Sequence, residues 1–396
     1  MPLLSGVRVL DLTNVLAGPF ASYQLGLLGA DVVKVEVPGS GDLARQLGAD
    51  PELSAEQMGT SFLAQNGGKR SLTVNLKHDR GKEVFAELVR GADVLLENFR
   101  PGVLERLGFG WEALRELNPR LVYCAVSGFG QTGPMRARPA YDQIIQGLAG
   151  MNSVTGTPET APLRVGFPVC DTLGGFAAAM AICAALVGRD RTGHGSYLDV
   201  SMLEAAITAM GWVVSDYLIA GHTPTPFGNE NATSAPSGTF QAADGKLNIA
   251  ANKQEQFETL CRLVGREELI TDPRFALREE RKRHRDELRL EIERSLAHRN
   301  AVEWEVLLSA AGVPAGRVLS VPEALGLDQV AARAFVHELD LPGQQLRVLG
   351  SSVHVDGTAV APGGRPPLLG EHTDALLAEL GYDEATIAEL HEMGAV

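Results

Sequence analysis

Residues 7–37, VRVLDLTNVLAGPFASYQLGLLGADVVKVEV, decide the fold. Residues 7–12 and 31–37 are rich in β-branched and aliphatic side chains, which is typical of buried strands. Residues 20–28 between them have the apolar spacing of a helix. A strand, a helix and a second strand in this order predict a β-α-β unit whose two strands lie parallel in one sheet.

The same alternation continues beyond this unit. Residues 81–90 have a helical pattern, and residues 93–97 and 121–126 have strand patterns. Apolar strands that alternate with helices predict an α/β fold, with helices on both faces of a parallel sheet. Ligands of such sheets bind beyond the carboxyl ends of the strands, which here carry residues 13–19, 97–100 and 127–130.

A smaller α+β domain is predicted in residues 226–320. Glycine, proline, serine, threonine and asparagine are concentrated in residues 221–238, which indicates a linker or mobile loop. The charged run 278–285 is expected to form the solvent-facing side of a helix. The remaining patterns are a strand over residues 246–251 and helices over residues 254–263, 277–297 and 302–311.

The composition favours a cytoplasmic protein with a sizeable core. The chain has 396 residues, is 45% hydrophobic and carries a formal net charge of −14, which argues against nucleic-acid binding. Four cysteines without a CxxC pair, at positions 124, 170, 183 and 261, indicate reduced thiols. Residues 1–6 do not resemble a signal peptide. The most apolar stretch, residues 176–187, is too short to span a bilayer, so we expect a buried helix and no membrane association.

A single carboxylate lies in residues 166–179, GFPVCDTLGGFAAA. Asp171 is the only charged residue there and precedes a helical pattern of small residues. It suits a helix N-cap, whose oxygens would accept the free N–H groups of the first turn. It also suits a nucleophile, because helix N-terminal donors favour an ionised carboxylate, and Gly174 and Gly175 would let a bulky substrate approach. The residues alone leave both interpretations open.

We expect no GxGxxG motif and no P-loop for a nucleotide, no serine-hydrolase site and no metal site. The nucleophile elbow GxSxG is absent, and the nine histidines have no metal-binding spacing. On residue type alone, the basic residues near predicted strand ends are expected to be surface charges: Lys69, Arg70, Lys77, Arg100 and Arg106.

Nine short motifs lie in residues 5–205, and a weaker pattern continues beyond them. The motifs are VLDL (9–12), AGP (17–19), LGADVVKVE (28–36), GSGD (39–42), GKRSL (68–72), ENFRPG (97–102), NPRL (118–121), SGFG (127–130) and GHG (193–195). Together they resemble the class III CoA-transferases, a family that includes formyl-CoA transferase and α-methylacyl-CoA racemase.

The resemblance implies an architecture and an oligomeric state. It implies a Rossmann-like large domain and a smaller α+β domain in a ring-shaped subunit, and two such subunits interlock as a homodimer. The implied boundaries are residues 1–200 for the large domain, 201–225 for a linker, 226–320 for the small domain, and 321–396 for a linker and a C-terminal segment that completes the large domain.

The resemblance also implies an activity, the transfer of CoA between carboxylic acids. In these transferases the aspartate at the position of Asp171 attacks the acyl-CoA thioester and forms an aspartyl-acyl anhydride. The released CoA thiolate converts the anhydride into an aspartyl-CoA thioester, and the acceptor carboxylate takes the CoA through a second anhydride. The implied partners are an acyl-CoA and a small carboxylic acid, with no metal and no permanently bound cofactor.

The family's CoA contacts can be carried over residue by residue. Two basic residues of the family pattern are replaced here by Val37 and Pro139, so we expect Arg100 or Lys77 to take over part of the phosphate contacts. The implied contacts are Leu16, Ala17, Leu72, Val74, Asn75, Leu76, Lys77, Asn98, Phe99, Arg100, Arg106, Arg138 and Tyr141.

The transferase branch is expected rather than the racemase branch. The two acid/base residues of the racemase align with Tyr141 and Gln254. Tyrosine is a poor base near neutral pH, and glutamine exchanges no proton. Asp142 matches an acidic residue that helps to organise the transferase site. A racemase or acyl-CoA isomerase and a non-catalytic CoA-binding protein are the alternatives.

A C4–C5 dicarboxylate is the expected acceptor, with succinyl-CoA as donor. The glycine-rich loop of formyl-CoA transferase is absent, and residues 228–231 together with Asn252 and Lys253 occupy that region, which disfavours formate and oxalate. Lys253, Arg45 and Arg164 are the candidates for binding the distal carboxylate.

Overall fold

Two structural units make up the chain. A computed structural model describes residues 2–341 and 344–396. The first unit combines Met1–Met151, Arg164–His222 and Asp328–Val396, and the second combines Asn152–Leu163 and Thr223–Leu327.

Up to residue 222 the chain alternates strands and helices, which belong to the first unit except for residues 152–154 of one short helix. In chain order the elements are β1 (Arg8–Asp11), α1 (Ala17–Leu27), β2 (Asp31–Glu36), a 3₁₀ turn (Leu43–Gln46), α2 (Pro51–Ala55), α3 (Thr60–Leu63), β3 (Arg70–Thr73), α4 (Asp79–Arg90), β4 (Val94–Glu97), α5 (Val103–Arg106), α6 (Trp111–Leu117), β5 (Val122–Ser127), α7 (Asp142–Leu148), α8 (Met151–Val154), α9 (Val169–Thr192), β6 (Ser196–Ser201), α10 (Met202–Ala209) and α11 (Trp212–Ala220).

The second unit is a small sheet with helices, and the chain then returns to the first unit. The second unit contains β7 (Ser237–Gln241), β8 (Lys246–Ala250), α12 (Gln254–Leu263), a 3₁₀ turn (Glu267–Ile270), α13 (Arg278–Arg283), α14 (Arg285–Leu296), α15 (Ala301–Ala310), β9 (Ala315–Arg317) and α16 (Val321–Leu325). The returning segment contains α17 (Asp328–Ala332), β10 (Val336–Leu341), β11 (Gln344–Leu349), β12 (His354–Val355), β13 (Thr358–Ala359), α18 (Thr373–Glu379) and α19 (Glu384–Glu392).

The first six strands form one parallel sheet in the order β3-β2-β1-β4-β5-β6. The predicted α/β class with a parallel sheet is confirmed. β1 pairs with β2 on one side, where Val9 lies opposite Val32, and with β4 on the other, where Val9 lies opposite Val94. The connections after β1 and β4 therefore leave in opposite directions, which creates the crevice where ligands of such sheets bind.

Apolar side chains cover the sheet on both faces. On one face Leu10 and Leu95 pack in a cluster with side chains of α4, α6, α18 and α19. On the other face Val9 and Val94 pack in a cluster with side chains of α1 and α9. Alternate residues of each strand point to opposite faces, so the near-continuous apolar pattern of the strands follows from burial on both sides.

The long helix α9 is only half covered, which differs from the buried helix expected for residues 176–187. Its small residues pack inwards, whereas Phe176, Met180 and Val187 are 46%, 71% and 55% exposed. By length and composition α9 could cross a membrane, and so could α10 and α11 taken as one bent span; 39% of the apolar window of α9 is buried. The expectation of a buried helix is therefore wrong for the outer face of α9.

Residues 201–221 also differ from the linker that was expected there. They form α10 and α11 and belong to the first unit. The Ser201 hydroxyl accepts a hydrogen bond from the N–H of Glu204 at 3.3 Å, so Ser201 caps α10. The absence of a helix or strand between residues 221 and 236 is consistent with the loop composition there.

The charged run 278–285 is solvent-facing except at Arg281. Two helices, α13 and α14, occupy the predicted stretch and meet at His284. The Arg281 side chain is 1% exposed and donates hydrogen bonds to the carbonyls of Ala235 and Phe275 at 3.0 and 2.9 Å. It lies 4.3 Å above the ring of Phe257, so this arginine fastens a loop to the core of the second unit.

Candidate active site

The candidate nucleophile Asp171 lies in the first turn of α9, but it is not the helix cap. The cap position is Pro168, whose side chain cannot accept a hydrogen bond. Instead, Asp142 Oδ1 accepts hydrogen bonds from the N–H groups of Cys170 and Asp171 at 2.7 and 3.3 Å. The N-cap interpretation of Asp171 is therefore wrong. Because a carboxylate on α7 performs the capping, the carboxylate of Asp171 is not needed for it.

Gln146 holds Asp142 in place. Its side chain is 0% exposed, and Nε2 donates to Asp142 Oδ2 at 2.7 Å. The same amide accepts from the N–H of Val165 at 2.9 Å and donates to the carbonyl of Phe167 at 3.2 Å. Gln146 thus ties the segment that enters α9 to the residue that caps it. Sequence reasoning missed this residue, and its i+4 spacing from Asp142 on a helix is the only signal for it.

The surroundings of Asp171 favour its protonated form more than the sequence suggested. Burial raises the pKa of Asp171 to about 7, and the neighbouring Asp142 carboxylate adds to the shift. Both protonation states of Asp171 are therefore populated near neutral pH, in contrast to the firmly ionised carboxylate that was expected.

Cys170, the neighbouring thiol, is a poor rival nucleophile. It is fully buried, and burial raises its pKa to about 12, with smaller contributions from Asp142 and Asp171. Only the thiolate is strongly nucleophilic, so this cysteine is inert near neutral pH.

The glycine pair after Asp171 serves helix packing. A Cβ on Gly174 would lie 2.9 Å from Met202 Cγ, and one on Gly175 would lie 2.6 Å from the carbonyl oxygen of Ala17. Both glycines are buried, so the expectation that they leave space for a substrate is wrong. They bring α9 against α1 and α10, which fixes Asp171 relative to the connection after β1.

The predicted CoA contacts follow the carboxyl ends of neighbouring strands. Leu16 and Ala17 follow β1, residues 74–77 follow β3, and residues 98–100 follow β4. Because β3, β1 and β4 belong to one parallel sheet, these segments lie along the same edge. The side chains in this set that are exposed are Lys77, Arg100, Arg106, Arg138 and Tyr141.

Three predicted CoA contacts have no accessible side chain. Leu72 and Val74 are buried and pack in the apolar cluster under α4, and Ala17 is buried in the cluster on the other face of the sheet. Their side chains therefore stabilise the fold, and only their backbone is left for a ligand.

Arg45 cannot hold a substrate carboxylate, which corrects that expectation. Its side chain is fully buried, with Nε 2.7 Å from Glu36 Oε1 and Nη2 2.8 Å from Glu36 Oε2. The guanidinium also lies 3.7 Å above the ring of Phe62. A bidentate pair with a buried carboxylate leaves no group for an incoming ligand.

Lys69 is likewise not the surface charge that was expected. Its ammonium lies 2.9 Å from Asp11 Oδ2 and 2.8 Å from the hydroxyl of Ser22, and the side chain is buried. Burial lowers the pKa of Lys69 to about 8, and the nearby Lys34 charge lowers it further, against the opposing effect of Asp11. The Lys69 ammonium therefore links Asp11 of β1 to Ser22 of α1.

Three candidates for the distal carboxylate or the substrate loop are accessible. Arg164 is exposed in the first unit, and Asn252 and Lys253 are exposed between β8 and α12 in the second. The Lys253 ammonium is 3.9 Å from a carboxylate oxygen of Glu255, which leaves it available to a stronger anionic partner. Their role stays a prediction.

Residues 128–133, GFGQTG, have the spacing GxGxxG, so the expectation that the sequence lacks this motif is wrong. They follow β5, but no helix begins at their end, and Gly130 and Gly133 have positive φ values of 83° and 82°. A dinucleotide-binding loop requires a helix N-terminus at this point. Residues 128–133 therefore form a tight connection after β5 and not a phosphate-binding loop.

Glu97, the last residue of β4, is a buried carboxyl beside the predicted CoA segment. Burial raises its pKa to about 7. Its Oε2 accepts from the N–H of Phe99 at 2.6 Å, and its Oε1 accepts from the Tyr123 hydroxyl at 3.1 Å. Together with Trp111 and Tyr197 it lines a cavity of about 420 Å³. Sequence reasoning used Glu97 only as part of a motif and missed that it fixes the start of the segment 98–100.

The described residues contain no group of three or more histidine, cysteine, aspartate or glutamate side chains arranged to hold a metal ion.

Comparison with known proteins decides the family. The sequence profile of CoA-transferase family III matches residues 4–373. The chain belongs to CoA-transferase family III. The predicted resemblance is confirmed, and because its relatives at 36–40% identity are named as CoA-transferases, the chain is an enzyme that moves CoA between carboxylic acids.

Relatives of the family III transferase share nearly its whole length. The acetyl-CoA:oxalate CoA-transferase of Acetobacter aceti is 40% identical and aligns over 96% of each chain. The succinyl-CoA:mesaconate CoA-transferase of Haloarcula marismortui is 38% identical over 98% of each chain. The succinyl-CoA:glutarate CoA-transferase of Mus musculus is 36% identical over 98% of this chain and 88% of the mouse protein.

Solved structures share the fold of the family III transferase. A CaiB/BaiF family protein from Brucella suis superimposes with a TM-score of 0.83 at 34% identity, over 95% of this chain and 99% of that one. A hypothetical protein from Mycobacterium tuberculosis superimposes with a TM-score of 0.83 at 34% identity, over 94% and 98% of the two chains.

The residues aligned with the racemase acid and base have other surroundings in this transferase. The Tyr141 side chain is 69% exposed. The side-chain oxygen of Gln254 accepts a hydrogen bond from Arg281 at 2.9 Å, so it braces the second unit. Neither residue supplies a buried acid/base group for α-proton transfer.

Proposed function

We propose that the family III transferase moves CoA from an acyl-CoA donor to an acceptor carboxylate through covalent intermediates on Asp171. One observation carries this proposal: Asp171 lies half-buried in the first turn of α9, and Asp142 has taken over the capping of that turn. A positioned carboxylate without a structural task is suited to nucleophilic attack on an activated acyl group.

The first half-reaction loads CoA onto Asp171. Its carboxylate attacks the thioester carbonyl, the C–S bond breaks, and the CoA thiolate leaves an aspartyl-acyl anhydride. The thiolate then attacks the aspartyl carbonyl of the anhydride. The donor acid leaves as a carboxylate, and an aspartyl-CoA thioester remains.

The second half-reaction reverses these steps with the acceptor. The acceptor carboxylate attacks the aspartyl carbonyl, displaces the CoA thiolate and forms a second anhydride. The thiolate then attacks the acceptor acyl carbonyl and releases the Asp171 carboxylate. No proton, electron or water is consumed overall, so the thioester free energy is retained as long as burial keeps water from the anhydrides.

The CoA substrate is expected to lie along the carboxyl edge of β3, β1 and β4. The exposed cations Lys77, Arg100, Arg106 and Arg138 suit its phosphates, because exposed guanidinium and ammonium groups bind phosphate oxygens by charge-assisted hydrogen bonds. This arrangement supports a diffusible CoA thioester as substrate and requires no resident cofactor.

Succinyl-CoA is the proposed donor and a C4–C5 dicarboxylate the proposed acceptor. Relatives named for succinyl-CoA with glutarate and with mesaconate support both choices. The relative named for acetyl-CoA and oxalate is 40% identical, so oxalate, which the sequence disfavoured, has to be included among the acceptors tested. Incubation with succinyl-CoA and a panel of carboxylates, read by mass spectrometry of the CoA esters, identifies the acceptor.

The covalent intermediate gives the decisive test of the mechanism. Incubation with succinyl-CoA and no acceptor should attach one CoA per active site through a thioester, and hydroxylamine should trap the modification on the peptide that contains Asp171. Asp171→Asn should abolish both the adduct and the turnover, whereas Cys170→Ala should retain them. Recovery of the adduct on Cys170, together with an active Asp171→Asn enzyme, would contradict the proposal.

A homodimer of interlocked rings in the cytoplasm completes the proposal. The uncovered apolar side chains of α9 and α11, among them Met180, Trp212 and Ile219, support a partner surface, since they are 71%, 81% and 86% exposed.

A further inference from the structure

Val15 has an unusual backbone conformation in the connection between β1 and α1. Its φ is +67°, in the left-handed region. Within residues 2–341 and 344–396, the other non-glycine residues with positive φ are Gln57, Ala334 and Asp356, none of which is β-branched. The isopropyl group of a valine clashes with the backbone in this region, so the conformation at Val15 is strained.

Side chains from three other segments hold this connection. The N–H of Val15 donates to Asp42 Oδ1 at 2.9 Å. Asn98 forms two hydrogen bonds with the backbone of Asn14, accepting from its N–H and donating to its carbonyl, each at 2.8 Å. The ammonium of Lys34 bridges Asp42 Oδ2 and the carbonyl of Thr13, at 2.9 Å from each.

Two of these side chains, Asp42 and Lys34, form a buried ion pair. Asp42 and Lys34 are 1% and 0% exposed, so their ion pair is shielded from solvent. A buried pair of this kind fixes geometry because separating its members exposes an uncompensated charge. The strain at Val15 therefore persists because the surrounding structure determines the path of the chain on both sides of it.

Folding alone does not require valine at this position. A glycine would adopt the same φ without strain, and its N–H would donate the same hydrogen bond to Asp42 Oδ1. The half-buried side chain of Val15 lies at the carboxyl edge of the sheet, directly before the predicted CoA contacts Leu16 and Ala17. The backbone strain that valine causes at this position is explained if its side chain contributes to CoA binding.

We propose that Val15 is a positioning residue for the acyl-CoA substrate, held in its strained conformation by Asp42 and Asn98. The proposal rests on the proposed transferase function. Asp42 and Asn98 fix the orientation of the Val15 side chain and of the peptide that leads to Leu16 before the substrate binds. Binding of the CoA thioester therefore requires little further ordering of this connection. Preorganisation of this kind raises affinity by lowering the conformational entropy lost on binding.

The test is CoA binding by the intact protein, measured by calorimetry beside the melting temperature. Val15→Gly should raise the melting temperature and weaken CoA binding by about tenfold, because it removes both the strain and the side chain. Val15→Ala should also weaken CoA binding. Asp356→Gly is the matched control, since it removes another positive φ from an exposed turn outside the site, and it should leave CoA binding unchanged.

Opposite changes in stability and affinity distinguish positioning from a purely structural role. A structural role would make both properties change together or leave binding intact. Val15→Gly that binds CoA as tightly as the unaltered protein would overturn the inference while leaving the transferase proposal in place. An unaltered protein that does not bind CoA would overturn both.

Discussion

At the scale of single residues, Asp142 illustrates why the site needs a carboxylate beside the nucleophile. Oδ1 accepts from two backbone N–H groups, and Oδ2 accepts from Gln146. Gln146 cannot reverse its amide, because its own oxygen accepts from Val165 and its nitrogen also donates to Phe167. An asparagine at position 142 would therefore present a donor to a donor. Both oxygens must be acceptors, which only an ionised acid provides.

Asp142→Asn should shift the pH dependence of CoA transfer towards acid. The Asp171 carboxylate must be ionised to attack, so kcat/KM should fall below about pH 7 in the unaltered enzyme as Asp171 becomes protonated. Removal of the Asp142 charge lowers the pKa of Asp171, so the acid limb of the profile moves to lower pH. The measurement is kcat/KM from pH 5 to pH 9, with Gln143→Ala, an exposed neighbour on α7, as the control. An unchanged acid limb in Asp142→Asn would show that another group controls it.

Asp171→Asn should stabilise the protein at alkaline pH. The folded-state pKa of about 7 exceeds the ordinary value of 3.8, so the native state binds more protons than the unfolded state between these values, and stability falls as the pH rises through this window. A shift of about 3 units corresponds to roughly 4 kcal/mol at most, and the asparagine variant escapes this cost. Thermal unfolding should show a higher melting temperature for the variant at pH 8 and a much smaller difference at pH 4.5. Glu97 is present in both proteins, so its own titration cancels.

The sequence revealed the residues of the site better than their partners. Asp171 could be found because it is the only charge in an apolar segment, whereas its cap comes from Asp142, 29 positions earlier in the chain. The misassigned Arg45 shows the same limit: part of its surroundings is the carbonyl of Pro367, 322 positions away. Such partners depend on the tertiary path of the chain, which local patterns do not encode.

At the scale of secondary-structure elements, helices α1 and α9 pack closely at Gly175, which has no side chain. A Cβ on Gly175 would lie 2.6 Å from the Ala17 carbonyl oxygen and 2.8 Å from a ring carbon of Phe20. The predicted CoA contact Ala17 is the first residue of α1, and Asp171 lies in α9. The contact between these helices therefore couples the two parts of the proposed site.

Gly175→Ala should therefore reduce both stability and activity. The added methyl group forces α9 away from α1, at a cost of about 1–3 kcal/mol, and moves Asp171 relative to the CoA edge. Gly188 is a matched control on the same helix, because a Cβ there meets nothing within 4 Å. Gly188→Ala should stabilise α9 by about 0.5–1 kcal/mol through helix propensity and leave turnover intact. Denaturant unfolding and steady-state kinetics of both variants decide the matter, and equal behaviour of the two would contradict this role for Gly175.

The strands that could be predicted from the sequence are those whose side chains are buried on both faces of the sheet. Residues 7–12, 31–37 and 93–97 contain the observed strands β1, β2 and β4, and residues 121–126 cover β5 except its last residue, Ser127. The short strand β3 escaped prediction because Arg70 and Ser71 interrupt its apolar pattern, and both are satisfied by partners elsewhere: Arg70 by Asp31, and Ser71 by Glu36. Helices α10 and α11 escaped it because several of their apolar side chains are exposed, so no amphipathic pattern marks them.

At the scale of the whole molecule, the exposed apolar surface of α9 and α11 predicts association. Light scattering should give about twice the 42.1 kDa mass of one chain. Trp212→Glu, which places a charge in the uncovered surface, should lower that mass, whereas Val306→Glu, at an exposed apolar position of the second unit, should not. A protein that remains at the mass of one chain over the micromolar range would contradict the dimer.

The division of the first unit into three chain segments has a consequence for biosynthesis. The last strand of the six-stranded sheet ends at Ser201, but Leu376 and Leu390, which cover one of its faces, belong to the returning segment. On the ribosome the entire second unit is translated before these leucines emerge. The nascent chain consequently carries an uncovered apolar sheet face throughout that interval, and binding of holdase chaperones to ribosome-bound intermediates should peak there and end once residues 373–392 have left the exit tunnel.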